Sequence, residues 1–341
     1  MHITARTHVG NRGWELDSVE ISGAPAEAAN EWQVLIGGEE APLRNTVEGL
    51  VAPANSGTSY PADLRVVARS DGAVVATRAD ATYTRTADDF TAHENGGVRY
   101  RLRAPRAQGP RPMLVFLHGG GEAGTDGWAQ LVGTLGAAHL AEAYPDFLVL
   151  APQAPPASDL LPPPHLPFAE AALDPTTGWS RCYLAALGDV VRGLVHEGRV
   201  DRSRIYLTGV SMGGAGAIRA LSVNHGLFAA ALPVCPTMTP ETFGILRSLV
   251  DVPLWLSSAY VDHTPYRHKY LVDAVQELQR RGSPHARLTL FAPEQLERYG
   301  FATDTSLDAE QLLAENHHAW VPAYHDEDGM LTWLVSQRSP H

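Results

Sequence analysis

Arg204-Ile-Tyr-Leu-Thr-Gly-Val-Ser-Met-Gly-Gly-Ala-Gly216 sets a short apolar strand, a tight turn and a helix start end to end. The strand is Ile205 to Leu207, the turn is Gly209-Val210-Ser211-Met212-Gly213, and a helix-compatible run from Ala215 to Leu221 follows at once. A serine forced into such a bend has strained backbone angles, and glycine on both flanks leaves room for the close approach of chain to chain. Ser211 is thereby pushed into the open. A bare G-x-S-x-G is common by chance, so its meaning comes from the strand before it and the helix after it. In that setting Ser211 reads as a nucleophile at the carboxyl end of a sheet strand.

Upstream, Pro112-Met-Leu-Val-Phe-Leu117 is an unbroken apolar run that suits a buried parallel strand. It ends in His118-Gly119-Gly120-Gly121-Glu122. Glycines there let backbone N–H groups face a substrate at close range, so Gly120 or Gly121 can join the N–H of Met212 in an oxyanion hole. One such donor lowers a barrier by about 3 kcal/mol. His118 reads as a loop-organising residue rather than a base.

A serine hydroxyl is a poor nucleophile until a base takes its proton, so a histidine and an orienting carboxylate are required. Where the serine sits on such an elbow, the partners follow in the order Ser, acid, His. The strand Val252-Pro-Leu-Trp-Leu256 runs on through Ser257 and Tyr260 to Asp262, which puts Asp262 past a carboxyl end, whereas Asp251 lies at the opposite end of the same strand. Candidates for the base are the neighbours His317 and His318, with His325 in the same region. His263 adjoins the proposed acid and reads as pocket wall.

Taken together, Val115-Phe-Leu-His-Gly-Gly-Gly-Glu122, Leu150-Ala-Pro-Gln153, Gly209-Val-Ser-Met-Gly-Gly214 and His317-His-Ala-Trp320 with Ala323-Tyr324 resemble the carboxylesterases of the α/β-hydrolase superfamily related to polyhydroxyalkanoate depolymerases and feruloyl esterases. The resemblance covers about Arg99 to Arg338. In that family the catalytic histidine stands three places before a tryptophan, and His317 and Trp320 match that offset. The resemblance therefore implies a triad of Ser211, Asp262 and His317 and hydrolysis of carboxylic esters through an acyl-enzyme. Two neighbouring readings share these residues or this fold: a prolyl-oligopeptidase-like peptidase, and an inactive hydrolase fold used for binding.

The chain departs from that family in two long segments, 154–178, rich in proline and alanine, and 293–316. Long irregular insertions in a compact domain are usually lids or binding loops. Both are expected beside the pocket, with Trp128, Trp179 and Tyr260 as its aromatic surfaces. The remaining core reads as strands at Phe147–Leu150, Phe228–Leu232 and His285–Phe291. Helices are expected at Tyr183–Val195, Tyr266–Arg281, and Met330–Gln337. Alternating strands and helices predict an α/β-hydrolase domain over 91–341, a mostly parallel sheet with helices on both faces.

Residues 1–90 contain only short β-type runs, among them Trp32–Ile36, Leu64–Ala68 and Ala73–Thr77, with Asp71-Gly72 as a hairpin signal between the last two. A small all-β sandwich is expected, and it resembles the immunoglobulin-like domain that precedes some bacterial esterases. Its expected role is to pack beside the catalytic domain or to hold subunits together as a homo-oligomer, in preference to binding a polymer such as a polysaccharide or polyester.

At 341 residues and 44% hydrophobic content the chain can bury a large core. A formal charge of -12 disfavours nucleic acid and anionic membranes as partners. Lys269 is the single lysine among 26 basic residues, which reflects coding composition more than binding. Two cysteines, Cys182 and Cys235, make no disulfide framework and are expected to be reduced core residues. The histidines lack zinc-motif spacing, and Gly213-Gly214-Ala215-Gly216 lacks the dinucleotide register, so no metal and no cofactor are expected. With no apolar leader after Met1 and no span of about eighteen apolar residues, the expectation is a soluble cytoplasmic protein, secreted only if a leader has been removed.

Overall fold

Alternating side chains dominate the amino-terminal part of the chain and unbroken apolar runs the rest. The computed structural model describes every residue except 26, 56–57, 84–86, 108, 157–177, 263–266, 302–306 and 340–341. It divides into two units, Met1–Asp88 with Val132–Leu135, and Asp89–Leu131 with Gly136–His341.

In the first unit, the described residues form a five-stranded sheet in the order Arg44–Thr46, Gly49–Pro53, Gly13–Ser22, His2–Gly10, Ala81–Tyr83. A four-stranded sheet follows the order Glu39–Ala41, Trp32–Ile36, Leu64–Ala68, Val74–Thr77. Every second side chain turns inward, as strand geometry requires. Ile3, Val19 and Leu50 from one sheet share a core with Val34, Ile36 and Val66 from the other. The unit is thus an all-β sandwich. At its Asp71-Gly72 turn the Asp71 carboxylate accepts from the Ala73 N–H at 3.0 Å, and Gly72 takes φ 71°.

The second unit is built on eight strands: β1 Thr91–Asn95, β2 Val98–Arg103, β3 Arg111–Leu117, β4 Leu148–Pro152, β5 Val200–Val210, β6 Ala230–Val234, β7 Leu254–Ala259 and β8 Ala286–Phe291. Their order in the sheet is β1-β2-β4-β3-β5-β6-β7-β8. β1, β2 and β4 pair antiparallel, and the remaining pairs are parallel. Helices α1 Arg181–His196, α2 Met212–Val223, α3 Arg267–Arg280, α4 Ala309–Asn316 and α5 Met330–Ser336 accompany it. Leu187, Ile218 and Leu271 of α1, α2 and α3 share a core with Val115, Leu207 and Leu256 of the sheet. Phe116, which points to the opposite face from Val115, packs edge-on against Tyr324. Both faces are covered, which is why β3, β4, β6 and the Ile205–Leu207 part of β5 read as continuous apolar runs.

Register fixes where chemistry can sit. Gly209 pairs with Leu117, Val210 with Val234, and Val234 with Ser257, so the carboxyl ends of β3, β5, β6 and β7 emerge along one edge.

Two expectations need correction. The segment 293–316 is not irregular in its described part, because Pro293–Glu297 and α4 are helical, and Asp308 and Gln311 form a reciprocal capping box at the start of α4. Cys182 is exposed rather than buried, since it lies on the outward face of α1 while Leu184, Leu187 and Val191 face the core. Cys235 is buried as expected. Of the 154–178 segment, residues 157–177 lie outside the described residues, as does His263.

Candidate active site

The turn from β5 into α2 holds Ser211 at φ 54°, ψ −113°. A non-glycine residue there stores roughly 1–3 kcal/mol of strain, so the surroundings must over-determine it. They do. The Ser211 N–H donates to the Val234 carbonyl at 3.0 Å, and the Ser211 carbonyl accepts from Thr237 at 3.0 Å and Ala215 at 3.1 Å. The flanking glycines are sterically required: a Cβ on Gly209 would come within 2.5 Å of the Gly213 carbonyl oxygen, and one on Gly213 would overlap the Leu117 carbonyl.

Two hydrogen bonds join residues far apart in sequence. His317 Nε2 lies 2.9 Å from Ser211 Oγ, and His317 Nδ1 lies 2.9 Å from Asp262 Oδ1. A carboxylate accepts only, so Nδ1 carries the proton toward Asp262 and the Nε2 lone pair faces the serine hydroxyl. Asp262 follows β7 and is fully buried, which alone would raise its pKa. The Arg267 guanidinium, followed by His317 and the Ser258 hydroxyl, outweighs that and holds it at about 2. Ser258 donates to Asp262 Oδ2 at 2.6 Å, and Arg267 Nη1 stands 3.2 Å from it.

Neither Ser258 nor Arg267 was among the residues singled out from sequence. The paired serines Ser257-Ser258 inside an apolar strand were the available signal for the first. Nothing in a charged helix start marks the second as buried.

The other expected pieces lie on the loop after β3. His118 is buried with both ring nitrogens taken by backbone: Nδ1–H donates to the Gly119 carbonyl at 2.6 Å and Nε2 accepts from the Ala154 N–H at 2.9 Å. Burial pushes its pKa down to about 4, so the ring is neutral. It organises the loop and takes no part at Ser211. Gln153 continues the brace, donating to the Glu122 carbonyl at 3.0 Å and accepting from the Gly127 N–H at 2.7 Å. Gly120 and Gly121 sit in the short 3-10 turn Gly120–Glu122, both exposed. Met212 opens α2, directly after the serine.

Comparison with solved structures bears on the fold. A thermostable esterase aligns over 99% of this chain and 99% of its own, with a TM-score of 0.72 and 24% identity. The chain has the α/β-hydrolase fold. Other similar structures are a hyperthermophilic esterase from Pyrobaculum calidifontis (TM-score 0.45, 14% identity, 72% of this chain and 85% of that one). Another is Thermogutta terrifontis esterase 2 phosphorylated by paraoxon (TM-score 0.44, 14% identity, 72% and 96%). No protein-family model matches the chain, and no curated protein does.

Within the hydrolase fold the three aromatic candidates part ways. Trp179 is not a pocket surface: it is 1% exposed and belongs to the core, its indole N–H donating to the His118 carbonyl at 3.0 Å. The missing side chain of Gly216 opens the slot its ring fills, since a Cβ there would lie 2.7 Å from the indole. Tyr260 is 58% exposed and stacks on His268. Trp128 is half-buried. The remaining histidines are otherwise engaged, His318 against Phe301 and His325 against Tyr299. Among the described residues, no group of three or more His, Cys, Asp or Glu could hold a metal ion, and no helix is long and apolar enough to cross a membrane.

Proposed function

We propose that the protein is a serine hydrolase that cleaves carboxylic esters through an acyl-enzyme. The observation that carries this reading is the unbroken hydrogen-bond chain from Ser211 Oγ through His317 to Asp262, with both links at 2.9 Å. Ser211 Oγ attacks the ester carbonyl while its proton passes to His317 Nε2; Asp262 holds the imidazole in the required tautomer and offsets its charge once protonated. The carbonyl oxygen, now negative, lies against the Met212 N–H and that of Gly120 or Gly121. The imidazolium returns its proton to the departing alcohol, and water then repeats both steps on the acyl group.

The esterase that aligns end to end with this chain supports the reading, as does the register that brings the carboxyl ends of the strands leading to His118, Ser211 and Asp262 to one edge of the sheet. Tyr260 and Trp128 line the substrate side, and the sandwich of residues 1–88 is of the immunoglobulin-like kind. Hydrolysis of short p-nitrophenyl esters tests the assignment. Wild type turns them over, and Ser211→Ala loses turnover by about a millionfold with its thermal midpoint unchanged. A Ser211→Ala variant of undiminished activity contradicts it.

A further inference from the structure

Arg267 stands where the catalytic arrangement described above does not require a cation. Its guanidinium is 1% exposed, and Nη1 meets four atoms. It donates to the Cys235 carbonyl at 2.7 Å, lies 3.2 Å from each oxygen of Asp262, and comes within 2.9 Å of His317 Nδ1.

Nη1 has two protons and His317 Nδ1 at most one, and their bookkeeping limits what the cluster can do. If Arg267 donated to Nδ1, the imidazole proton would sit on Nε2 and point at Ser211, leaving no lone pair to take the serine proton. The productive tautomer has Nδ1–H on Asp262 Oδ1, with the Arg267 protons on Cys235 and Asp262. Ser258 occupies Oδ2 at 2.6 Å and leaves Oδ1 for the histidine.

We infer that Arg267 is a positioning residue that keeps Asp262 ionised and opposes protonation of His317 in the resting enzyme, so that the neutral base persists at pH values where an ordinary histidine is charged. This deepens, and rests on, the reading of Ser211 and His317 as nucleophile and base.

The charge balance supports it. Asp262, Arg267 and neutral His317 sum to zero. A proton on the resting imidazole would bring a second cation within 2.9 Å of the guanidinium, with one carboxylate to serve both. A like charge at such range moves a pKa by about 1–3 pH units. During acyl transfer the same proton arrives together with the oxyanion at Ser211, so the opposition bears on the resting state more than on the reaction.

Other groups facing the pair among the described residues are Ser211 from the elbow and Trp320, edge-on to the imidazole. Cys235 lies behind Asp262, and its thiol is pushed well above the usual range, first by burial and then by that carboxylate. It is neutral. Among the described residues, Asp262 and Arg267 are charged groups in direct contact with His317.

The test is the pH profile of kcat/KM for a p-nitrophenyl ester, or of the rate at which a fluorophosphonate labels Ser211, in wild type, Arg267→Lys and Arg267→Gln. The wild-type acid limb is expected below the ordinary histidine value of about 6.5. In Arg267→Gln it moves up by about 1–3 pH units, so that activity at pH 5 falls at least tenfold relative to pH 8 while KM changes little. Arg267→Lys keeps the low limb.

A folded Arg267→Gln with the wild-type limb overturns the inference. If that variant does not fold, a wild-type limb at or above about 6.5 overturns it just as well. Failure of the underlying assignment looks different: Ser211 takes no label at any pH and Ser211→Ala keeps its activity.

Discussion

His118 directly follows β3 and His317 caps the end of α4, and the two have opposite relations to the proton. His118 has each ring nitrogen fixed by a backbone group, and burial holds its pKa at about 4. His317 has one nitrogen against a carboxylate and the other against a serine hydroxyl, with part of its ring open. A histidine's role is decided by what its two nitrogens meet, and less by how conspicuous its motif is. His118 opens the conspicuous glycine loop, and its partners leave it no proton to exchange, in keeping with its reading as a loop-organising residue.

Replacing each ring separates the two most sharply. His317→Ala is expected to reduce ester turnover by about a millionfold with a modest change in stability, because the base is lost while Asp262 keeps Arg267 and Ser258 as partners. His118→Ala is expected to lose about 3 kcal/mol of stability, from two buried hydrogen bonds and the space left behind, while keeping turnover far above that of His317→Ala. Parallel urea titrations and p-nitrophenyl ester assays measure both. Equal activity losses in the two variants would erase the distinction.

A smaller effect comes from pH alone. His118 takes up a proton near 6.5 when unfolded but only near 4 when folded, so its contribution is fully present above about 6.5 and is lost as pH falls toward 4. Between pH 7 and pH 5 the loss is about 2 kcal/mol. Asp262, held at about 2, adds a loss only as pH drops below the usual carboxylate range. A urea midpoint that does not move between pH 7 and pH 5 would break the assignment of His118 as a locked neutral ring.

Much of the fold could be read from the chain because pattern and burial agree. Trp32–Ile36 and Leu64–Ala68 are strands residue for residue, since alternation and β-branched content coincide there. The apolar run Phe228–Leu232 begins two residues before the strand it signals: Phe228 is buried but precedes the ladder of β6, and apolar character alone does not mark where pairing begins. The hairpin of β1 and β2 was missed although Val98, Tyr100 and Leu102 alternate with three arginines after Gly96-Gly97, a period-2 pattern masked by its charge.

At the site, Ser211, Asp262 and His317 were legible from local turn geometry, strand ends and the tryptophan offset. Arg267 was not, because a cation at a helix start reads as solvated, and only the tertiary fold turns it inward onto Asp262. The burial of Trp179 is hidden in the sequence for the same reason: the slot at Gly216 exists only once α2 is packed.

The most direct measurement is intact-mass and peptide mapping after reaction with a fluorophosphonate. One adduct per chain is expected, on Ser211, formed by wild type and abolished in Ser211→Ala and His317→Ala. Labelling at another serine, or none in protein that is folded and hydrolyses esters, would contradict it.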